Sequence, residues 1–182
     1  MQYVNKVDGE GKTLFAIRYC LNCIRSWWKF HLIFPWVKYK GFVRVMKHVS
    51  FAKNMDIRLG NNVQFGQYCD VASNVHFGNN ILVAGHVSFV GRRDHIFDRP
   101  GMTMWEGERG DNGTTVVEDD VWIGAHSVII SGVHIGKGSI IAAGSVLTKD
   151  VPPCEIWGGN PARKLRDRFS EEDKKIHLAS LR

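Results

Sequence analysis

No run of 18 apolar residues occurs in this 182-residue chain, and about that length is needed for a membrane-crossing helix. The most apolar stretch is interrupted by Arg18, Arg25, Lys29 and His31. The first residues, Met-Gln-Tyr-Val-Asn-Lys-Val-Asp, lack the basic-then-apolar order of a secretory signal. Cysteine is scarce, at Cys20, Cys23, Cys69 and Cys154. The Cys20-x-x-Cys23 pair has no second pair to complete a zinc site, and it falls in a helix-like segment, so core packing is its expected role. The set suits a reduced, cytoplasmic protein. No two of the eight histidines are five residues apart, so a His-x4-His metal pair is also missing.

Acidic residues are nearly absent at one end. Residues 1–50 hold nine Lys and Arg against Asp8 and Glu10, whereas the remaining residues carry 15 basic and 16 acidic side chains. The asymmetry predicts an acidic surface next to the N-terminal segment. Nucleic acid is not the expected partner, because the basic charge sits among apolar and aromatic residues.

What the chain does have is a six-residue period. From Leu59 the blocks begin at Leu59, Phe65, Val71, Phe77, Val83 and Phe89; a second run begins at Val117, Ile123, Ile129, Ile135, Ile141 and Leu147. The fifth positions of the second run are Val121, Ser127, Val133, Ser139, Ser145 and Val151. A large aliphatic or aromatic residue, with a small or aliphatic one four positions later, marks a hexapeptide parallel β-helix. Three blocks close one triangular coil. Asn and Gly crowd the corners, as in Asn61-Asn62, Asn79-Asn80 and Lys137-Gly138, because they tolerate positive φ.

The period divides the chain. Residues 1–41 form an N-terminal cap, 42–153 the β-helix with an excursion at 91–116, and 154–182 a tail with a short helix. Residues 1–11 read as a loose arm. Apolar residues at Leu14, Ile17, Leu21, Ile24, Trp28, Leu32 and Ile33 suit an amphipathic helix over 12–34, ended at Pro35. That face is expected to dock on the first coil; the alternative is contact of residues 12–36 with a membrane surface. Over 42–58 the first coil reads as degenerate, with Lys47 and Lys53 at block starts. Pro152-Pro153 is expected to end the solenoid, and Ser170-x-x-Asp173 to start the tail helix.

The excursion Gly91-Arg-Arg-Asp-His-Ile-Phe-Asp98 holds His95, its only histidine. An imidazole beside carboxylates can take a proton from a hydroxyl near neutral pH; Asp94 and Asp98 are the candidates to orient it. His86 and His126 fall at corners, His76 and His134 on outward positions, His31 and His48 in the cap region and His177 in the tail helix. All seven are expected as ordinary solvated surface.

The segments Val117-Glu-Asp-Asp-Val-Trp-Ile-Gly-Ala-His126, Gly136-Lys-Gly-Ser139, Ala142-Ala-Gly-Ser-Val146 and Gly159-Asn-Pro-Ala-Arg163 resemble the hexapeptide-repeat acyltransferases. The chain is most similar to the branch that O-acetylates sugars and surface polysaccharides, with maltose/galactoside, xenobiotic and colanic-acid-type acetyltransferases. The resemblance covers about residues 45–168. It implies a left-handed parallel β-helix, a homotrimer, acetyl-CoA as acyl donor without a metal, and a general-base histidine in the loop, which matches His95. It implies further that Gly124, Ala125, Ala142, Ala143 and Gly144 border the pantetheine, with Thr148 and Lys149 toward the nucleotide and Arg163 or Lys164 at its phosphate. Trp122 would wall the acceptor or thioester, and Arg92 and Arg93, with Arg99 and Arg109, would meet an acidic or phosphate-linked sugar. The expected location is cytoplasmic, or the inner face of the membrane. An N-acetyltransferase on an amino sugar, a metal enzyme of the γ-carbonic-anhydrase kind and a silent β-helix scaffold are the competing readings.

Overall fold

The computed structural model describes residues 11–181; the arm expected over 1–11 falls outside them apart from Gly11. Three parallel sheets wrap one apolar axis. The first face carries Lys38–Tyr39, Ile57–Leu59, Val75–Phe77, Thr115–Val117 and His134–Ile135. The second carries Val43–Val45, Val63–Phe65, Ile81–Val83, Trp122–Ile123, Ile140–Ile141 and Glu155–Gly159, with Ala162–Asp167 at its edge. The third carries Ser50–Phe51, Asp70–Val71, Ser88–Val90, Val128–Ile130 and Val146–Leu147. The chain visits the second, third and first faces in turn. The hexapeptide solenoid foreseen from the period is therefore the fold.

All twelve block starts are buried. In the early coils they form an edge-to-face ladder in which Phe51, Phe65, Phe77 and Phe89 follow at ring separations of 5.4, 5.3 and 5.2 Å, a favoured aromatic geometry. Ile123, Ile129, Ile135, Ile141 and Leu147 continue the axis with aliphatic side chains. The buried serines at fifth positions are satisfied by neighbouring carbonyls: Ser127 Oγ donates to Ala142 O at 3.0 Å and Ser139 Oγ to Pro152 O at 2.7 Å. A buried hydroxyl left unpaired would cost stability, so each such serine also ties its corner to the next.

The first coil is regular rather than degenerate. Val43 pairs with Val63 and Ser50 with Asp70, both 20 residues apart, whereas Ile57 pairs with Val75, 18 apart. Two extra residues lie between Phe51 and Leu59, at a corner turned by Asn54 with φ 64°. Val45 and Phe51 therefore take the axial positions, and Lys47 and Lys53 lie outside on corners. A further departure lies at the other end. Glu155–Gly159 adds a parallel strand beside Ile140–Ile141 and then folds back antiparallel onto Ala162–Asp167, so the sheet runs past Pro152-Pro153.

Helix α1, Lys12–Trp28, runs into a π-helical turn at Lys29–Ile33 and closes the first coil. Its docked side is Phe15, Tyr19, Ser26 and Phe30. Tyr19 stacks on Phe42 at 4.7 Å and Phe30 on Tyr39 at 4.7 Å. The Ser26 hydroxyl donates to the Val43 carbonyl, and Lys29 Nζ donates to Val45 O at 3.1 Å. The face expected to dock does not: Leu14, Ile17, Leu21, Ile24, Trp28, Leu32 and Ile33 are 41–65% exposed. Ring stacking and bonds to open strand carbonyls decide the docking, and the aliphatic stripe turns outward.

Helix α2, Glu171–Ser180, is capped by Ser170, whose side chain accepts from Asp173 N at 3.1 Å. His177 is docked rather than free in solvent, with Nε2 2.9 Å from Asp120 Oδ2, which also accepts from Arg168 at 2.7 Å. The corner histidines are exposed but stacked: His48, Tyr68, His86 and His126 form a column with centroids 4.7, 5.0 and 4.6 Å apart.

Candidate active site

Residues 91–114 leave the solenoid between the third and first faces. Thr115 pairs with Val75 across 40 residues where a coil needs 18, so 22 residues are inserted at one corner. The insertion doubles back on itself: Ile96 N donates to Glu108 O at 2.8 Å, and Gly110 N to Arg93 O at 2.8 Å. Asn112 clasps its base. The Asn112 Oδ1 accepts from the Arg93 amide, and its Nδ2 donates to Asp94 Oδ1 at 3.0 Å. Gly91 leaves room for this clasp, since a Cβ there would lie 1.9 Å from Asp94 Oδ1 and 2.6 Å from Asn112 Nδ2 and would push those side chains aside. Arg92 anchors the insertion to the solenoid, its amide donating to Ser131 Oγ at 2.9 Å and its guanidinium to Thr148 O at 3.0 Å.

His95 is exposed on this folded-back loop, with Nδ1 3.3 Å from the Gly107 carbonyl. A carbonyl oxygen can only accept, so this contact places the proton on Nδ1 and leaves the lone pair of a neutral ring on Nε2. The ring is thus oriented by backbone, not by a carboxylate. Asp94 is taken by Asn112, and Asp98 pairs with Arg93 at 3.2 Å; neither is placed on the imidazole as expected. Elsewhere in the loop, the Glu106 carboxylate accepts from the Thr103 amide at 2.9 Å and hydroxyl at 2.8 Å. Those bonds, the backbone one foremost, hold its pKa below the ordinary value. Phe97, Met104 and Trp105 project from the loop, Trp105 at 95% exposure.

The small residues expected to border a thioester cofactor lie at the corner between the second and third faces. Gly144 N donates to Ala125 O at 2.8 Å. Ala143 and Gly144 are exposed, and Ala125 and Ala142 half-buried. Gly124 is buried, and a Cβ there would meet Ala143 N at 2.4 Å, so its lack of a side chain lets the neighbouring coils stack. Thr148 and Lys149 lie at the next corner, beneath Arg92. The third face, with Ser88, Val128 and Val146 outward, separates the two sets within one chain.

Arg163 and Lys164 are on the terminal hairpin. Lys164 Nζ is held by Asp167 at 2.7 Å and Glu155 at 2.8 Å, and these bonds raise its pKa and lower that of Asp167. An ammonium shared by two carboxylates is poorly placed for a phosphate; Arg163, whose guanidinium meets no carboxylate among the described residues and donates to the Ala162 carbonyl at 3.0 Å, is the better candidate of the two. Trp122 stands half-exposed on the second face between Leu82 and Ile140, in a groove with Asn80, Asp120 and Arg168. One prism does not bring Trp122 and His95 together. Among the described residues no group of three His, Cys, Asp or Glu is arranged to hold a metal ion.

Sequence reasoning missed Gly107 and Asn112, which position the loop. The Asn112-Gly113 pair is a turn signal, but nothing in the sequence shows that the turn reaches back eighteen residues.

The family described as bacterial transferase hexapeptide (six repeats) matches residues 114–149. A chloramphenicol acetyltransferase of Klebsiella aerogenes is 48% identical over 121 residues, 62% of this chain and 55% of that protein. The galactoside O-acetyltransferase of Escherichia coli (strain K12) is 32% identical over 152 residues, 74% of each. Among solved structures, a hexapeptide-repeat-containing acetyltransferase of Vibrio cholerae O1 biovar eltor, complexed with acetyl coenzyme A, superposes with a TM-score of 0.64 at 27% identity, covering 91% of this chain and 94% of that one. The match spans about half the length, or less, of four chloramphenicol acetyltransferases that the chain resembles.

Proposed function

Because the chain belongs to the hexapeptide-repeat acyltransferase family, we propose that it transfers acetyl from acetyl-CoA to a hydroxyl of a sugar or surface-polysaccharide precursor, with His95 as general base. The observation that carries this is the His95–Gly107 contact. It leaves Nε2, the basic nitrogen, at the surface of a loop tied to the coil that bears Thr148. In the reaction Nε2 takes the acceptor's hydroxyl proton as its oxygen attacks the thioester carbonyl. The carbon–sulfur bond then breaks, and the departing thiolate takes the proton back from the imidazolium. No acyl-enzyme forms. A backbone amide at a coil corner steadies the oxyanion.

The working unit in this proposal is a trimer of about 62 kDa, three chains of 20.6 kDa in a closed ring. Two features support it. His95 and Trp122 stand on different parts of one prism, so a shared site needs the loop of one copy beside a face of the next. The uncovered Phe97, Met104 and Trp105 also give that loop an apolar tip with which to cover a neighbour. Arg92 is engaged with Thr148 on the solenoid and Arg93 with Asp98 in the loop, which leaves Arg99 and Arg109 as the loop cations for an acidic or phosphate-linked acceptor. The location proposed is the cytoplasm, where acetyl-CoA is made.

The test is acetyl transfer from labelled acetyl-CoA to a panel of sugars and carrier-linked saccharides, wild type against His95→Ala. Turnover should fall about 10²–10⁴-fold, with acetyl-CoA affinity nearly unchanged. His134→Gln, on the first face and 3.2 Å from Glu118, should keep activity. A His95→Ala enzyme retaining more than about a tenth of turnover refutes the assignment. Transfer to amines in preference to hydroxyls would favour the N-acetylation alternative.

A further inference from the structure

We propose that α1 seats this protein on an anionic lipid surface, through the apolar stripe that its docking leaves uncovered. The stripe consists of Leu14, Ile17, Leu21, Ile24, Trp28 and Leu32, every one at least half exposed. Their spacing of three, four, three, four and four residues keeps them on one line along the helix. Trp27 and Trp28 add indole rings, half exposed at the C-terminal end, of the kind that favours the headgroup boundary. Most of α1 is included, about four turns of helix, with its opposite side fastened to the first coil through Tyr19, Ser26, Lys29 and Phe30. The stripe is thus held rigidly at the end of the solenoid and does not have to be ordered on binding.

Charge selects the occupant. Between residues 11 and 55 there are nine Lys and Arg and no Asp or Glu. Arg18 and Arg25, seven residues apart, follow one edge of the stripe, and Lys40, Lys47 and Lys53 lie exposed around the same end of the solenoid, with Lys38 there 3.6 Å from Asp56. Face-to-face packing of two copies would bring these cations together, and the nearby Asp56 is already shared among Lys38, Arg58 and His76. An anionic bilayer accepts both the apolar stripe and its basic rim, the combination found in helices that lie in the membrane interface. No helix among the described residues is long and apolar enough to cross a bilayer, so the contact is with one leaflet. This inference is independent of the proposed reaction: it places the enzyme where carrier-linked substrates would be presented, but it needs no activity to be tested.

The experiment is sedimentation of the full chain with vesicles of phosphatidylcholine alone, or with about a third phosphatidylglycerol, at low and high salt. Wild type should bind the anionic vesicles and lose much of that binding in high salt, because each basic residue near the surface contributes about a five-fold factor. Leu21→Glu with Ile24→Glu, both on the exposed line, should weaken binding more than about ten-fold with the melting temperature unchanged. Arg25→Glu, which leaves the stripe intact, should weaken it about five-fold or more and lessen its salt dependence. The proposal is overturned if wild type ignores anionic vesicles, or if it binds neutral ones equally in any salt. It is equally overturned if the Glu variants bind as wild type does, or if light scattering shows that the stripe instead joins two copies and the Glu variants dissolve that assembly.

Discussion

Replacing Asn112 by Ala should free the loop that carries His95 without unfolding the solenoid beneath it. The clasp consists of two bonds, from the Arg93 amide to Oδ1 and from Nδ2 to Asp94 Oδ1. Each intramolecular hydrogen bond is worth about 0.5–1.5 kcal/mol net. Both lie on exposed side chains, so the lower part of that range applies and the pair contributes about 1–2 kcal/mol. Losing it shifts the local closed-to-open ratio by about 5- to 30-fold. The loop itself supplies the assay, because Arg92, Arg93 and Arg109 are trypsin sites within it, whereas Arg99 is shielded by Pro100. When reclosing is faster than cutting, cleavage follows the open population, so digestion at these arginines should accelerate by the same factor. The melting temperature should hardly move, since no core residue is touched. Asn112→Asp keeps an acceptor for Arg93 but sets a second carboxylate against Asp94, and should accelerate cleavage at least as much. Acetyl transfer should decline in both variants. Cleavage of Asn112→Ala within two-fold of wild type would refute the clasp, and a large fall in melting temperature would show that the loop is not an independent unit.

Other outcomes follow from the coil geometry and the ion pairs. Gly124→Ala sets a Cβ 2.4 Å from the Ala143 nitrogen where ordinary contact starts at 3.4 Å, and relieving such an overlap costs about 1–3 kcal/mol; calorimetry should show melting about 2–12 °C lower. Gly144→Ala meets nothing within 4 Å but sits at φ 68°, so it should cost only the left-handed backbone term, about 1–2 kcal/mol. Asp56 accepts from Arg58 at 2.6 Å and lies 2.8 Å from His76 Nε2, which holds its carboxyl well below its ordinary 3.8. A depressed carboxylate stabilises the fold above the unfolded value and loses that effect as pH falls through the folded one. Melts recorded from pH 4 downward should therefore fall more steeply for wild type than for Asp56→Asn, and parallel slopes would refute the coupling.

Much of the fold was legible because a solenoid is read locally. Each axial residue packs against those one coil away, so a period of six is enough to name the core from Leu59 to Val151. The first coil escaped that reading because two residues between Phe51 and Leu59 shift the frame, and only pairing with the next coil shows where they go. The strand Glu155–Gly159 escaped because its last residues turn into an antiparallel hairpin, which needs no six-residue repeat. At the site, the residues most exposed to error were those whose partners lie far along the chain. Asp94 and Asp98 stand next to His95 in sequence, yet their bonds go to Asn112 and Arg93, and the imidazole turns to Gly107.

By itself, then, the sequence determined the prism, its axial residues, the place where the chain leaves it and the histidine carried there, because block repetition and the interruption of a period are properties of the linear chain. Tertiary structure alone decided which side of α1 docks, how the imidazole is oriented and which lysine is already neutralised by neighbours. Those outcomes depend on groups brought together from three to eighteen residues away along the chain, and amphipathic spacing cannot tell a helix which of its faces will find open carbonyls and aromatic rings to meet.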